Sequence, residues 1–112
     1  MLLLIIVRAD PDEPFKVTEE QIEAGKRWLD DRTGEGFFEL CLPFEQTGGF
    51  VLLRTPGELE RSDIDAYLKA FWHSYPLRDT ITMTWDVVLE TLDDGFDVLR
   101  TAHAEQRRVL TS

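Results

Sequence analysis

Hydrophobic and polar residues repeat along the chain with either strand or helix spacing, and each change from one spacing to the other marks a predicted element. Leu2–Val7 is apolar throughout and rich in branched residues, which is typical of a central buried strand. Thr18 followed by Gln21 forms a capping-box pattern, which predicts that a helix begins there. The apolar face of this helix comprises Ile22, Gly25, Trp28 and Leu29. We expect Gly25, a poor helix former, to mark close packing of the helix on a sheet.

The middle of the chain predicts a β-hairpin. Residues 37–44 and 50–55 have strand composition, and the segment EQTGG between them is typical of a turn. A second helix follows and runs to about His73, with either Thr55 or Ser62 as its N-cap. Pro76 ends it, because the residue before a proline is disfavoured in helical geometry.

The last third of the chain predicts a fourth strand and a C-terminal helix. Residues 79–88 alternate apolar and polar side chains and are rich in β-branched residues. Helical spacing then relates Leu92, Phe96, Leu99, His103, Gln106 and Leu110. The segment DDG at 93–95 is also a hairpin signal, so a short fifth strand over 96–99 is the alternative.

The resulting order, β-α-β-β-α-β plus a C-terminal helix, predicts an α+β fold of the ferredoxin-like class. In this fold two helices cover one face of an antiparallel sheet. We expect one domain over residues 1–112, with a core over 1–90 and a C-terminal extension over 91–112.

Strand alternation sorts the side chains of the predicted sheet into two sets. One set is wholly apolar and is expected to face the helices: Leu3, Ile5, Val7, Phe38, Leu40, Leu42, Val51, Leu53, Ile81, Met83, Trp85 and Val87. The other set mixes apolar and polar residues: Leu2, Leu4, Ile6, Arg8, Phe37, Glu39, Cys41, Phe50, Leu52, Arg54, Thr80, Thr82, Thr84 and Asp86. A second sheet enclosing a partly polar cavity would explain the mixed set, so we expect a homodimer. The alternative is that the charged residues sit at strand ends and reach water.

Composition narrows the function classes. The 112 residues carry 22 acids and 12 bases, for a formal net charge of −10. Such an acidic protein repels phosphate backbones and anionic membranes, which argues against nucleic-acid and membrane partners. The first ten residues lack the features of a signal peptide, and no apolar run reaches membrane-spanning length. A single cysteine, Cys41, excludes an internal disulfide, and we expect a cytoplasmic protein.

Three segments carry a family resemblance. They are the apolar first strand, GGFVLLRTPGELE over residues 48–60, and YPLRDTITMTW over residues 75–85. In these, and over roughly residues 1–88, the chain resembles the dimeric α+β-barrel proteins, and most closely their muconolactone-isomerase-like group. The resemblance implies paired sheets, with small molecules bound inside the barrel or between sheet and helices. It also implies a cofactor-free enzymatic activity, such as that of an isomerase, a cyclase or a monooxygenase. The long C-terminal segment departs from the family pattern.

The mixed face supplies the candidate catalytic base. Glu39, beside Phe37 and Cys41 and under a facing sheet, would be partly desolvated, and desolvation raises a carboxyl pKa towards neutrality. Arg8 or Arg54 could then bind a substrate carboxylate or a developing enolate oxygen. The alternative is a structural Glu–Arg pair.

The segment AFWHSYPL over residues 70–77 supplies further candidates. His73 could shuttle protons, or could only favour the dipole at a helix C-terminus. Tyr75 could donate to an oxyanion, or could cover the sheet edge. Trp72, off the main apolar stripe of its helix, is expected at a pocket wall or subunit contact.

The remaining candidates are weaker. Asp86 on the mixed face is assigned to substrate binding. Cys41 is either a substrate contact or nucleophile, or a buried inert thiol. His103 is expected at the surface. Neither histidine has metal-binding spacing, and no nucleotide or serine-hydrolase motif occurs, so no metal or cofactor is predicted.

The sequence thus favours a cofactor-independent enzyme of the isomerase or cyclase type, acting by proton transfer on a small, fairly apolar organic substrate. Glu39, His73 and Tyr75 are the predicted catalytic residues, and Arg8, Arg54, Trp72, Asp86 and Cys41 the predicted substrate contacts. The alternatives are a non-catalytic small-molecule-binding or assembly module, and a cofactor-free monooxygenase of the same fold.

Overall fold

The computed structural model describes residues 1–10 and 17–111. Its strands are β1 (Leu2–Ala9), β2 (Phe38–Pro43), β3 (Gly49–Arg54) and β4 (Ile81–Val88). Its helices are α1 (Glu19–Gly34), α2 (Arg61–Phe71) and α3 (Leu92–Thr111). Short 3₁₀ turns at Trp72–Ser74 and Arg78–Thr80 connect α2 to β4.

The four strands form one open antiparallel sheet in the order β2-β3-β1-β4. β1 pairs with β3 and β4, and β2 pairs with β3 through the predicted hairpin. The predicted element order is therefore confirmed, and the sheet order is compatible with a ferredoxin-like arrangement.

The ends of the helices test the capping predictions. The capping box of α1 is confirmed: Thr18 Oγ1 accepts a hydrogen bond from Gln21 N (3.2 Å), and Thr18 N donates to Gln21 Oε1 (2.9 Å). The N-cap prediction for α2 is wrong, because Glu60 occupies that position without a side-chain hydrogen bond. The predicted C-terminal helix is confirmed, and the alternative fifth strand is wrong, since residues 93–99 lie inside α3.

An aromatic cluster joins α1 to the chain that follows α2. The Trp28 ring centroid lies 4.9 Å from that of Trp72 and 5.2 Å from that of Tyr75, with Phe38 and Phe71 completing the cluster. Trp28 Nε1 also donates to Ser74 Oγ (2.9 Å). Truncating a buried tryptophan to alanine costs about 3–5 kcal/mol. The cluster therefore fixes how α1 lies over the sheet.

A β-bulge in β2 changes which side chains face the helices. Phe38 pairs with Leu53 and Leu40 pairs with Leu52, so Glu39 and Leu40 together oppose one residue of β3. Beyond the bulge, Cys41 pairs with Val51 on the face that α1 and α2 cover, which we call the helix-covered face. The placement of Cys41 on the mixed face is therefore wrong.

The bulge also enlarges the opposite face, which we call the open face. Leu40 and Leu42 are 40% and 47% exposed there, so their predicted burial under the helices is wrong. Four further apolar residues of this face are partly exposed, whereas Leu2 is buried: Leu4, Ile6, Phe50 and Leu52. A strict alternation of side chains along β2 does not predict this, because the extra residue moves every following side chain of the strand to the opposite face.

Helix α3 extends away from the sheet and the other helices, which it hardly contacts. The described chain accordingly measures 59 Å along its longest axis, against 31 and 26 Å along the others.

The hairpin turn provides a test of the fold. Gly48 has φ = +103°, and a Cβ atom there would lie 2.3 Å from the backbone oxygen of Val7. We expect Gly48→Ala to lower the free energy of unfolding by about 1–3 kcal/mol, because neither the φ angle nor the backbone contact can relax cheaply. Urea denaturation measures this change.

Gly34 at the end of α1 is the matched control, since a Cβ atom added there would meet no neighbouring atom within 4 Å. Gly34→Ala should leave stability unchanged or raise it by about 0.4–1 kcal/mol. Equal effects of the two substitutions would contradict the turn geometry.

Candidate functional site

A cavity of about 740 Å³ lies between α1 and the helix-covered face of the sheet. Its floor comes from the ends of β1, β2 and β3, and its walls from α1 and the segment that connects α2 to β4. Most of the lining is apolar: Val7, Ile22, Leu29, Val51, Leu77 and Ile81 are representative. A cavity of this size and polarity is typical of sites for small organic molecules.

Cys41 and Tyr75 place two ionisable groups in the cavity wall. Burial, and secondly the Asp30 carboxylate, raise the pKa of the Cys41 thiol. Burial, and secondly Cys41, raise the pKa of the Tyr75 phenol. Both groups are therefore protonated at neutral pH, and the phenol is available as a hydrogen-bond donor. The only hydrogen bonds of Tyr75 among the described residues run through its backbone.

Trp72 contributes a third wall residue and is 2% exposed. The indole N–H groups of Trp28 and Trp85 donate to Ser74 and Asp65, respectively. The Trp72 N–H is buried and has no partner within residues 1–10 and 17–111. An unsatisfied buried donor costs about 1–3 kcal/mol, so this N–H group destabilises the core.

Helix α1 supplies polar residues that the sequence pattern did not indicate. Lys26 and Asp30 line the cavity and form an ion pair (Nζ to Oδ2, 4.0 Å), while both side chains remain about 70% exposed. They lie one and two turns after Ile22, which also lines the cavity. This helical spacing was visible in the sequence, but charged residues at i and i+4 are usually only a solvated ion pair.

The open face carries a separate ionic cluster. Arg54 Nε donates to Glu39 Oε1 (2.7 Å), and Arg54 Nη2 donates to Glu90 Oε1 (2.6 Å). Hydrogen bonding to Arg54 lowers the pKa of Glu90. Glu39 is 44% exposed and Arg54 is 36% exposed in the single chain. The geometry thus shows the Glu–Arg pair that was the alternative to a catalytic base.

Arg8 and Asp86 lie apart from that cluster. Arg54 pairs with Leu2 across the sheet, and Arg8 lies six residues further along β1, about 20 Å away at 3.3 Å per residue. The guanidinium of Arg8 is 5.4 Å from the Phe44 ring centroid. Asp86 pairs with Leu4 and accepts a hydrogen bond from Val87 N (2.8 Å). Within one chain, Arg8, Glu39 and Arg54 do not converge.

His73 belongs to neither group. It is exposed in the 3₁₀ turn after α2, next to the buried Trp72, and does not line the cavity. The structure thus divides the eight predicted site residues into three sets. Cys41, Trp72 and Tyr75 line the cavity; Arg8, Glu39, Arg54 and Asp86 lie on the open face; His73 is at the surface.

The described residues offer little for other kinds of site. Residues 1–10 and 17–111 contain no group of three or more histidine, cysteine or acidic side chains placed to bind a metal ion. No helix in that part of the chain is both long and apolar enough to cross a membrane. The cavity is therefore the arrangement with the most chemical content: an apolar volume, a buried phenol, a protonated thiol and an ion pair at its edge.

Comparisons with protein-family models and with curated proteins find no match to this chain.

Proposed function

We propose that the protein binds a small, largely apolar organic molecule in the cavity between α1 and the sheet. The cavity carries this proposal, because its volume of about 740 Å³ is ample for such a ligand and its lining is mostly apolar. The net charge of −10 disfavours anionic ligands, so a neutral molecule fits best. The protonated Tyr75 phenol favours a ligand with a carbonyl or hydroxyl oxygen.

We further propose that the protein acts on this molecule without a cofactor, by proton transfer of the isomerase or cyclase type. Removing a proton beside a carbonyl leaves charge on its oxygen, and Tyr75 is the group that would donate a hydrogen bond to it. Asp30 is the carboxylate that would accept the proton, since it lines the cavity and acts electrostatically on Cys41. Lys26, paired with Asp30, would hold that carboxylate at the cavity edge.

The resemblance to the dimeric α+β-barrel proteins, and to their muconolactone-isomerase-like group, belongs to the same proposal. The antiparallel sheet and element order are compatible with it, and the family binds small molecules between sheet and helices. A homodimer with paired open faces would cover the exposed Leu40 and Leu42. It would also enclose the Glu39–Arg54–Glu90 cluster.

Glu39 has a role in this proposal only if such a second sheet covers it. In the single chain it lies on the opposite side of the sheet from the cavity and is paired with Arg54. Its assignment as the catalytic base stays a prediction, and Asp30 and Tyr75 are the first residues to test.

A ligand panel with the Tyr75→Phe variant tests the binding proposal. The panel contains small neutral cyclic ketones and lactones, each paired with a hydrocarbon of the same shape. We expect several ketones or lactones to bind, and Tyr75→Phe to weaken their binding about fivefold, as loss of one hydrogen bond worth ~1 kcal/mol predicts. Hydrocarbon binding should not change. Tryptophan fluorescence titration measures both, since Trp72 lines the cavity.

Tyr67→Phe is the matched control, because Tyr67 is a partly buried tyrosine outside the cavity lining. It should leave all affinities unchanged. The proposal fails if no member of the panel binds, or if Tyr75→Phe weakens ketone and hydrocarbon binding equally.

The single thiol reports on the cavity in a second way. We expect iodoacetamide to modify Cys41 more slowly in the folded protein than in the urea-unfolded chain at the same pH. The reason is that burial raises the pKa of the thiol, which lowers the thiolate fraction at any pH below it. A bound cavity ligand should slow the reaction further. Mass spectrometry follows the single adduct.

Asp30→Asn should accelerate this alkylation, because it removes the carboxylate that helps to raise the pKa of Cys41. Asp31→Asn, one residue along α1 and outside the cavity lining, is the control and should have no effect. If the two variants behave alike, Asp30 does not act on the cavity as proposed.

A further inference from the structure

Helix α3 carries an apolar stripe that the described part of the chain leaves uncovered. The stripe comprises four apolar residues, and each is more than half exposed: Leu92 (81%), Phe96 (52%), Leu99 (60%) and Leu110 (80%). The helix hardly contacts the other elements. Most of the stability of a helix in a protein comes from packing of its apolar face, so a partner surface would stabilise the 20-residue α3.

The spacing of the stripe identifies the kind of surface that fits it. The four apolar residues, with the polar His103 and Gln106 between them, follow one another at steps of 4, 3, 4, 3 and 4: Leu92, Phe96, Leu99, His103, Gln106 and Leu110. This is the heptad spacing of a coiled coil, which brings one narrow seam against another helix. A helix packed on a sheet usually presents a broader apolar face.

The charges of α3 divide along its length in a way that favours a second copy as the partner. Residues 92–97 contain three aspartates and no base, whereas residues 98–111 contain three arginines and one glutamate. Two copies in antiparallel orientation place each acidic end beside the other's basic end, while parallel copies place like charges together. At the centre of the helix pair, repulsion between the two Arg100 side chains is small, because each Arg100 is paired with Asp97 of its own helix (2.8 Å).

We propose that α3 pairs with α3 of a second copy of this chain as an antiparallel two-helix coiled coil. When the two antiparallel stripes align over their full length, Leu92 lies against the partner's Leu110. Phe96 then lies against the partner's Gln106, and Leu99 against the partner's His103. Gly95 and Ala102 flank the seam and let the helices approach closely. The polar seam residues fix register and orientation at some expense of stability.

This pairing is independent of the cavity and distinct from pairing of the open faces. α3 extends beyond the sheet, so the two surfaces belong to different parts of the chain. The coiled coil is isologous, with the same seam contributed by both copies. The proposed small-molecule function can therefore fail while the coiled coil holds, and the reverse.

Sedimentation velocity on the full chain, with two neighbouring substitutions, tests the proposal. Leu99→Lys places a charge in the seam and should halve the mass of the assembly. Val98→Lys makes the same kind of change at an equally exposed position (59%) outside the seam, and should leave the mass unchanged. Circular dichroism should show a loss of helix in Leu99→Lys only, while the urea midpoint of the core stays the same in both.

Three outcomes would overturn the proposal. The first is a wild-type chain that is monomeric at every concentration. This includes a monomer in which α3 folds onto the open face of its own sheet. The second is an assembly whose mass Leu99→Lys does not change. The third is an assembly that only Leu52→Lys, on the open face, disrupts, because its partner surface is then the sheet.

Disulfide formation tests the orientation in a Cys41→Ser background. Chains with Leu92→Cys are mixed with chains with Leu110→Cys and oxidised. An antiparallel pair should give mainly the mixed disulfide between the two variants. A parallel pair would give mainly the two symmetric disulfides, and that result would contradict the proposed orientation.

Discussion

The packing of Trp28 against the segment after α2 is the interaction on which the arrangement of this molecule depends. Trp28 contacts Trp72 and Tyr75, and its N–H is bound by Ser74, so one residue of α1 is held by three residues of that segment. The contact fixes α1 over one end of the sheet. Because Gly25 approaches Leu77 closely in the same region, α1 and the segment together close one side of the cavity. Stability and the candidate site therefore share the same aromatic residues.

The bulge at Glu39 is the second constraint, and it acts on both faces of the sheet at once. It moves Cys41 under the helices, where the thiol joins the cavity wall, and it leaves Leu40 and Leu42 on the open face. Bulges are common where a strand must redirect a side chain beside a functional site. Without it, the cavity would lose its thiol and the open face two of its apolar side chains.

The sequence predicts the elements of this protein better than it predicts the site. The strands and helices follow from periodicity and from local signals such as the Thr18 capping box, which act over a few residues. The faces of β2 do not, because an inserted residue leaves no trace in an apolar and polar pattern of six positions. The prediction that Cys41 and Glu39 share one face was wrong, because the bulge places them on opposite faces. The aromatic, serine and tyrosine residues after α2 do meet at one place. Lys26 and Asp30 were missed because an exposed ion pair on a helix has the same pattern whether or not a cavity lies beside it.

The cavity and the seam of α3 are thus two surfaces available for binding, and they differ in shape and charge. The cavity is formed within one chain and presents a buried phenol, so under the proposed function a ligand would be selected by its volume and by one hydrogen bond. The seam of α3 is a linear stripe with opposite charge at its two ends, so it selects a partner by register and orientation. The Arg54–Glu90 ion pair acts on the seam and not on the cavity, because Glu90 lies in the short link between β4 and α3 and is held to the open face. That bond restrains where α3 leaves the sheet, and so the direction in which a second copy could approach.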